Sequence, residues 1–217
     1  MPKTFPFDTR AKQYDDWFER HKAAYLSELL AVRTFLPHQG QGLEIGVGTG
    51  RFAGPLGIKI GLDPSMKMLV RAQKQGIQVL AGIAEQLPFS DEAFDYVLIV
   101  VTICYVDDLT ATLSEIRRIL KYGGSIIIGF LDYGSKLGRA HLDQEAQKFF
   151  YLDAHFFSAE EVEAYLKKSG FNEFSWGQTL FRAPSFIEQI DPIKPGHGEG
   201  LFAVVRAEKP NTKRNSR

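Results

Sequence analysis

The stretch that decides the fold is Leu43-Glu44-Ile45-Gly46-Val47-Gly48-Thr49-Gly50. A short apolar run leads directly into three glycines at alternate positions. Glycine has no Cβ and adopts positive φ readily, so a ligand can lie against the backbone of such a turn. The pattern predicts a strand that ends in a ligand-binding turn.

Two common phosphate-binding turns do not fit this spacing. The dinucleotide fingerprint has its third glycine at the position of Arg51, where glycine allows close packing of helix on strand. A P-loop would continue with Gly-Lys-Ser or Gly-Lys-Thr, whereas this chain continues with Gly50, Arg51 and Phe52. Both departures disfavour phosphate binding at this turn.

Residues 43–50 resemble motif I of the class I S-adenosylmethionine (SAM) dependent methyltransferases. The resemblance covers roughly residues 40–170, and three further segments match the family in the same order: Asp63-Pro64-Ser65-Met66-Lys67-Met68-Leu69, Ile83-Ala84-Glu85-Gln86-Leu87-Pro88-Phe89 and Leu120-Lys121-Tyr122-Gly123-Gly124. It implies that Gly46, Gly48 and Gly50 let the backbone approach the methionine half of SAM. It also implies that Glu44 orients this half through hydrogen bonds; the alternative is an exposed carboxylate at the end of the strand.

Asp63 is expected to hold the ribose. The short branched run from Ile58 to Asp63 predicts a second strand, so Asp63 stands at its carboxyl end beside the glycine turn. A carboxylate there can accept two hydrogen bonds from a ribose diol. By resemblance, Pro64 and Met68 also contact the cofactor, although Met68 equally suits a core methionine.

The resemblance assigns the adenine of SAM to the loop that begins at Ile83. Related enzymes carry an acid at this position, whereas this chain has isoleucine. Recognition of adenine then falls to the backbone of Ile83 and Ala84 or to a neighbour such as Glu85. Val100 and Val101 complete the expected cofactor site; they end a nearly continuous apolar run that predicts a central strand.

The N-terminal segment is expected to form a helical lid. Pro2 and Pro6 predict an irregular lead over the first ten residues. Over residues 11–35, apolar side chains recur at three- and four-residue steps, which predicts one or two helices. Tyr14 and Trp17 lie in this region, and the resemblance implies that they cover SAM.

The rest of the chain alternates short apolar strands with amphipathic helices, which predicts a parallel α/β sheet with right-handed crossovers. The resemblance implies a Rossmann-like class I methyltransferase sheet of seven strands, mostly parallel with the last antiparallel, and helices on both faces. We expect a single domain with five segments: an N-terminal helical lid (1–37), a SAM-binding core (38–131), a substrate cap (132–157), a C-terminal helix and strands (158–209) and a tail (210–217).

Residues 132–157 interrupt the alternation and are rich in aromatic side chains. They follow the fifth predicted strand, so they form either a substrate-binding cap or a surface helix docked through its aromatic residues. Tyr133 and His141, together with Tyr105 after the fourth strand, are candidates to contact the substrate or to remove its proton. His141 also suits a surface or packing role. No catalytic residue is assigned, because transfer of an activated methyl group depends mainly on positioning.

Composition limits the range of functions. The 26 basic residues balance the 26 acidic ones, so no overall field favours nucleic acid or an anionic membrane. Cys104 is the only cysteine, which excludes an intramolecular disulfide and a cysteine-based zinc site; a buried, unreactive thiol is expected. No apolar run has the length of a signal peptide or a membrane span. The sequence predicts a cytoplasmic monomer or homodimer without metal, nucleic acid or membrane as partners.

These observations predict a SAM-dependent methyltransferase that acts on a small molecule, for which an amine is one candidate. Two alternatives stay open. One is a SAM- or nucleoside-binding regulatory module without turnover. The other is an NAD-dependent oxidoreductase, which Arg51 disfavours.

Overall fold

A computed structural model describes residues 3–146 and 148–211 of the 217-residue chain. These residues form a mixed sheet of β1 (Gly42–Ile45), β2 (Ile60–Asp63), β3 (Gln78–Ala81), β4 (Phe94–Val100), β5 (Leu120–Leu131), β6 (Asn172–Thr179), β7 (Lys194–Pro195) and β8 (Phe202–Glu208). The helices around it are α1 (Phe5–Arg20), α2 (Lys22–Phe35), α3 (Ala53–Leu56), α4 (Met66–Gln73), α5 (Leu109–Ile119), α6 (Lys136–Glu145) and α7 (Ala159–Lys168), with a 3₁₀ turn at Pro184–Phe186.

The order of the strands creates a crevice at the carboxyl ends of the central strands β1 and β4. The order is β3-β2-β1-β4-β5-β8-β6-β7, with β1 to β5 parallel and β8 antiparallel between β5 and β6. The chain steps outward from β1 to β3 and then returns to β4 on the other side of β1. Open α/β sheets bind ligands at the carboxyl ends of the strands on either side of such a reversal.

The predicted Rossmann-like methyltransferase sheet is confirmed, including the antiparallel last strand. The described residues form eight strands instead of seven, because the two-residue strand β7 pairs with β6. The predicted boundaries between the five segments of the chain stay a prediction.

Two hydrophobic cores lie on opposite faces of the sheet, and β4 contributes to both. Val97 and Ile99 pack with α5 and α7 on one face. Tyr96, Leu98 and Val100 pack on the other face, which α1, α2 and α4 cover. Burial on both faces explains why this strand appears in the sequence as a nearly continuous apolar run. The face covered by α1 and α2 carries the candidate site.

Two local predictions are wrong. The expected irregular lead is helical from Phe5 onward, and Pro6 fits there because the first turn of a helix leaves its N–H groups unbonded in any case. Residues 121–124 are part of the matched segment Leu120-Lys121-Tyr122-Gly123-Gly124, which by that resemblance ends a helix before the next strand; they belong instead to the twelve-residue strand β5. Pro2 and the last six residues of the predicted tail, 212–217, lie outside the described residues.

Candidate functional site

The turn after β1 needs glycine for two separate reasons. Gly46, Gly48 and Gly50 have positive φ, at 70°, 52° and 84°. In addition, a Cβ on Gly46 would lie 2.2 Å from Oγ1 of Thr102. The Gly46 N–H donates to the carbonyl of Leu62 at 2.7 Å, which fixes the turn against β2. The turn therefore presents bare backbone at the crevice.

Asp63, at the carboxyl end of β2, joins this turn to the start of α4. One carboxylate oxygen accepts the Gly48 N–H at 2.9 Å, and the other accepts the Ser65 N–H at 2.8 Å. Burial raises the pKa of Asp63 to about 6, and the two N–H groups oppose this rise. The side chain is therefore largely charged at neutral pH and keeps lone pairs for further donors.

Asp15 ties α1 to the glycine turn and to α4. Its carboxylate accepts hydrogen bonds from Oγ1 of Thr49 at 2.7 Å and from Nε of Arg51 at 2.9 Å. A terminal nitrogen of Arg71 donates to its other oxygen at 2.9 Å. Only 17% of the Asp15 side chain is exposed, so water competes little for these charge-assisted bonds.

Arg51 has a structural role at the position where a dinucleotide-binding turn has glycine. Besides Asp15, its guanidinium binds Glu19 of α1 at 2.7 Å. Its carbonyl accepts the hydroxyl hydrogen bond of Tyr25 from α2. The residue that argued against a dinucleotide site thus connects the turn to both N-terminal helices.

A cavity of about 730 Å³ lies beneath α1, at the carboxyl ends of the parallel strands. Its two sides differ in their walls. The region that we call the turn side is lined by Gly46, Gly48, Asp63, Pro64, Met68, Ile83, Ala84 and Glu85. The helix side lies beneath α2, which packs on β5, β6 and β8, and is lined by Trp17, His21, Glu28, Leu131, His141, Tyr151, Pro184 and Leu201.

Aromatic side chains close the cavity between α1 and the segment after α6. The ring of Phe7 packs edge-on against Tyr105, with centroids 5.1 Å apart, and lies 5.9 Å from the ring of Phe150. The ring of Tyr14 lies 6.2 Å from Phe150. The Tyr105 hydroxyl donates to the Phe150 carbonyl at 3.0 Å. These contacts form an aromatic roof that limits the access of water.

Burial changes the titration of the groups around the cavity. It is the main cause of the raised pKa values of Tyr14, Tyr105 and Tyr151, so these phenols keep their protons at neutral pH. It lowers the pKa of His141, so this imidazole is mainly neutral. Burial raises the pKa of the Glu28 carboxyl to about 8.

Known proteins share this architecture. A family model described as a methyltransferase domain matches residues 43–128. A crystal structure from Thermotoga maritima, described as a SAM-dependent methyltransferase and possible histamine N-methyltransferase, is 51% identical and has a TM-score of 0.91. The match covers 94% of this chain and 98% of that one. This chain belongs to the class I SAM-dependent methyltransferase family.

Two relatives in sequence extend the comparison. An uncharacterized protein of Methanocaldococcus jannaschii is 43% identical over 203 residues, which are 94% of this chain and 98% of the relative. A demethylmenaquinone methyltransferase of Bacillus cereus is 35% identical over 124 residues, 51% of this chain and 52% of its own length. The family predicted from the motifs is confirmed, and with it SAM as the cofactor.

None of the helices formed by the described residues combines the length and the hydropathy that crossing a bilayer requires.

The turn side of this methyltransferase cavity suits SAM. Asp63 has lone pairs left for a ribose diol, and Met68 and Ile83 offer apolar surface to a flat ring. One oxygen of Glu85 already accepts the Asp107 N–H at 2.7 Å. This engagement favours the backbone of Ile83 and its neighbour for the recognition of adenine.

Most of the predicted site residues of the methyltransferase meet at this cavity. It is lined by Tyr14, Trp17, Gly46, Gly48, Asp63, Pro64, Met68, Ile83, Ala84, Glu85, Val100 and Val101, and also by Tyr105 and His141. Three predicted residues lie outside the lining. Glu44 is buried behind the turn, Gly50 faces Ile77, and the Tyr133 hydroxyl donates to Asp143. That each predicted residue contacts cofactor or acceptor stays a prediction.

Sequence reasoning missed Glu28 and Phe7, and it included Phe150 only as one of the aromatic residues of segment 132–157. Glu28 stands at helical spacing from Ala24 and Ala31, which are both fully buried. A carboxylate within an apolar stripe is a signal that could have identified it, because such groups are rarely buried without a partner. Phe7 was missed because the first ten residues were expected to be irregular.

Proposed function

We propose that this chain transfers the methyl group of SAM to a small-molecule acceptor bound on the helix side of the cavity. The observation that carries the proposal is that a single cavity joins the glycine turn and Asp63 to the space beneath α2. A cofactor on the turn side and an acceptor on the helix side would share one volume, as direct transfer between them requires.

The residues of the chain act mainly by positioning and by excluding water. SAM supplies a methyl group activated on a sulfonium. Asp63 would hold the ribose, and the glycine turn would accommodate the methionine half. The aromatic roof formed by Phe7, Tyr105 and Phe150 would keep water from the reacting atoms. Cys104 is buried and its pKa is raised to about 12 by burial, which argues against a covalent intermediate on sulfur.

A small acceptor is supported by the enclosure of the helix side beneath α1 and α2 and by the balanced charge of the chain. Two similar proteins carry descriptions with different acceptors: histamine, an amine, for the Thermotoga protein and demethylmenaquinone, a quinone, for the Bacillus protein. Cytoplasmic location and a monomeric or homodimeric state stay predictions.

The test is a calorimetric titration of the purified protein with S-adenosylhomocysteine, with NADH titrated in parallel. We expect micromolar binding of S-adenosylhomocysteine alone. Binding of NADH alone would contradict the proposal and favour the oxidoreductase alternative. Tight binding of S-adenosylhomocysteine without turnover of SAM over a broad acceptor panel would favour the regulatory module.

Replacing Asp63 with alanine is expected to weaken the binding of S-adenosylhomocysteine by about 1–3 kcal/mol, the scale of lost hydrogen bonds to a charged group. The same calorimetry measures this change. Asp95→Ala is the matched control, because Asp95 also accepts a backbone N–H, from Gln41 at 2.7 Å, but lies near the amino end of β4. Equal affinity of wild type and Asp63→Ala would refute the assignment of the ribose to Asp63.

A further inference from the structure

We propose that Glu28 binds the amino group of the acceptor and takes its proton, so that the acceptor is a primary or secondary amine. The proposal rests on the proposed methyl transfer and names the substrate class of the same site.

The surroundings of Glu28 are the main evidence. Its side chain lines the cavity, yet the residue is only 4% exposed. Its carboxylate receives no hydrogen bond from any residue that the structure describes, and burial is the sole cause of its raised pKa. A buried carboxylate without a partner destabilises a fold, and a ligand with N–H donors would supply what the protein lacks.

Glu28 lies on the acceptor side of the cavity. It is carried by α2, which packs on β5, β6 and β8. This helix also reaches the glycine turn through Tyr25, whose hydroxyl donates to the Arg51 carbonyl. Tyr151, after α6, is close enough for the charge of Glu28 to help raise its pKa. Glu28 thus faces the space beneath α2 and the segment after α6, where the acceptor is proposed to bind.

Other groups around the helix side are less suited to hold an amine. The phenols of Tyr105 and Tyr151 keep their protons, and Tyr105 already donates to a backbone carbonyl. Glu145 also lines the cavity, but it is paired with Lys148. His141 is mainly neutral, and the charged form that it can adopt is an imidazolium, which would repel an ammonium group.

Glu28 can remove the proton that prevents an amine from accepting the methyl group. An alkyl ammonium has no lone pair, so it must lose a proton before its nitrogen can attack the methyl group. The ammonium group of the acceptor favours the ionised form of Glu28, whose own proton leaves to solvent as the acceptor binds. The resulting carboxylate accepts the proton of the ammonium, the nitrogen forms the new N–C bond, and the C–S bond breaks with its electron pair left on sulfur. A carboxyl with a pKa near 8 is closer to the pKa of an alkyl amine, about 10.4 for lysine, than an ordinary glutamate is.

The experiment is a binding screen on the complex with S-adenosylhomocysteine. A library of small primary and secondary amines is compared with alcohols and carboxylates of the same carbon skeletons, for wild type, Glu28→Gln and Glu188→Gln. Glu188 is an exposed residue after the 3₁₀ turn, so its variant makes the same side-chain replacement outside the cavity. Calorimetry measures each affinity.

We expect amine hits in wild type and Glu188→Gln that bind at least tenfold more weakly to Glu28→Gln. S-adenosylhomocysteine should bind all three proteins with equal affinity, which also shows that Glu28→Gln is folded. Four outcomes would overturn the role of Glu28. Two concern the library: hits among alcohols or carboxylates, and the lack of any amine hit. The other two concern Glu28→Gln: amine hits that bind it as tightly as wild type, and loss of S-adenosylhomocysteine binding in this variant alone. Failure of wild type to bind S-adenosylhomocysteine would overturn the proposed function as well.

Discussion

Asp63 and Glu28 are both buried carboxylates of the same cavity, but their surroundings differ. Asp63 accepts two backbone N–H groups, which offset some of the cost of its burial. Glu28 has no such donors among the described residues, so burial alone acts on its pKa. The first arrangement yields a charged group with a fixed orientation. The second yields a group that holds its proton until a partner arrives.

Glu28 should make the stability of the free protein depend on pH. Its pKa is about 8 in the folded protein, against 4.5 as the ordinary value. Between these values the unfolded chain has lost the proton that the folded protein keeps, so the free energy of unfolding falls as pH rises, by up to roughly 1.4 kcal/mol per pH unit. The contribution of protonated Glu28 to the free energy of unfolding is fully present below pH 4.5 and is lost above pH 8.

Glu28→Gln removes this dependence, since its amide does not titrate. We expect the variant to gain stability relative to wild type from about pH 4.5 to pH 8, measured by urea unfolding across that range. Glu188→Gln is the control and should follow wild type. Parallel curves for wild type and Glu28→Gln would contradict the raised pKa.

Gly46 and Gly57 separate two costs of a side chain in the left-handed region. They have similar φ values, 70° and 76°, but a Cβ on Gly57 would meet nothing within 4 Å, whereas one on Gly46 would collide with Thr102. Gly57→Ala should lower the free energy of unfolding by about 1–2 kcal/mol and Gly46→Ala by about 2–5 kcal/mol. Urea unfolding measures both, and equal losses would show that the contact with Thr102 does not matter.

At the scale of elements, a small set of charged contacts holds α1 against the glycine turn and α4. Asp15 receives three side-chain hydrogen bonds from the glycine turn and α4. The side chain of Asp16, the next residue of the helix, is about half exposed and pairs with Lys12 alone among the described residues. The same helix therefore offers a structural aspartate and a matched surface aspartate.

Asp15→Ala is expected to cost about 2 kcal/mol and to lower the melting temperature by roughly 4–8 °C, because it removes partly buried bonds to two arginines. It should also weaken the binding of S-adenosylhomocysteine, since α1 covers the cavity. Asp16→Ala should change the free energy of unfolding by less than about 0.5 kcal/mol. Thermal unfolding measures both, and similar effects of the two variants would refute the role of Asp15.

For the whole molecule, the cavity links elements that are far apart in the chain. The roof joins Phe7 of α1 to Phe150 after α6. We expect S-adenosylhomocysteine to slow amide hydrogen exchange in α1 and in residues 148–151, and to leave α5 and α7 on the opposite face unchanged. Protection confined to the glycine turn would show that the roof moves independently of the cofactor.

The sequence by itself determined the sheet, the turn side of the cavity and the family. Those features depend on short contiguous segments, because a strand and the turn that follows it fix the position of Gly46, and a second strand end fixes Asp63 beside it. Arg51 disfavoured a dinucleotide turn from sequence alone. Its contacts with Asp15 and Tyr25 could not be foreseen, since they depend on how α1 and α2 pack.

Only the tertiary structure decided the helix side. Its walls come from α1, α2, α6, the segment after α6 and the loops around Pro184 and Leu201, which are separated by many residues in the chain. No local pattern states which of their side chains will meet, because that depends on the packing of amphipathic helices on a finished sheet. Glu28 appears in the sequence as one charge in an apolar stripe, and the fold places it at the cavity with no hydrogen-bond partner among the described residues.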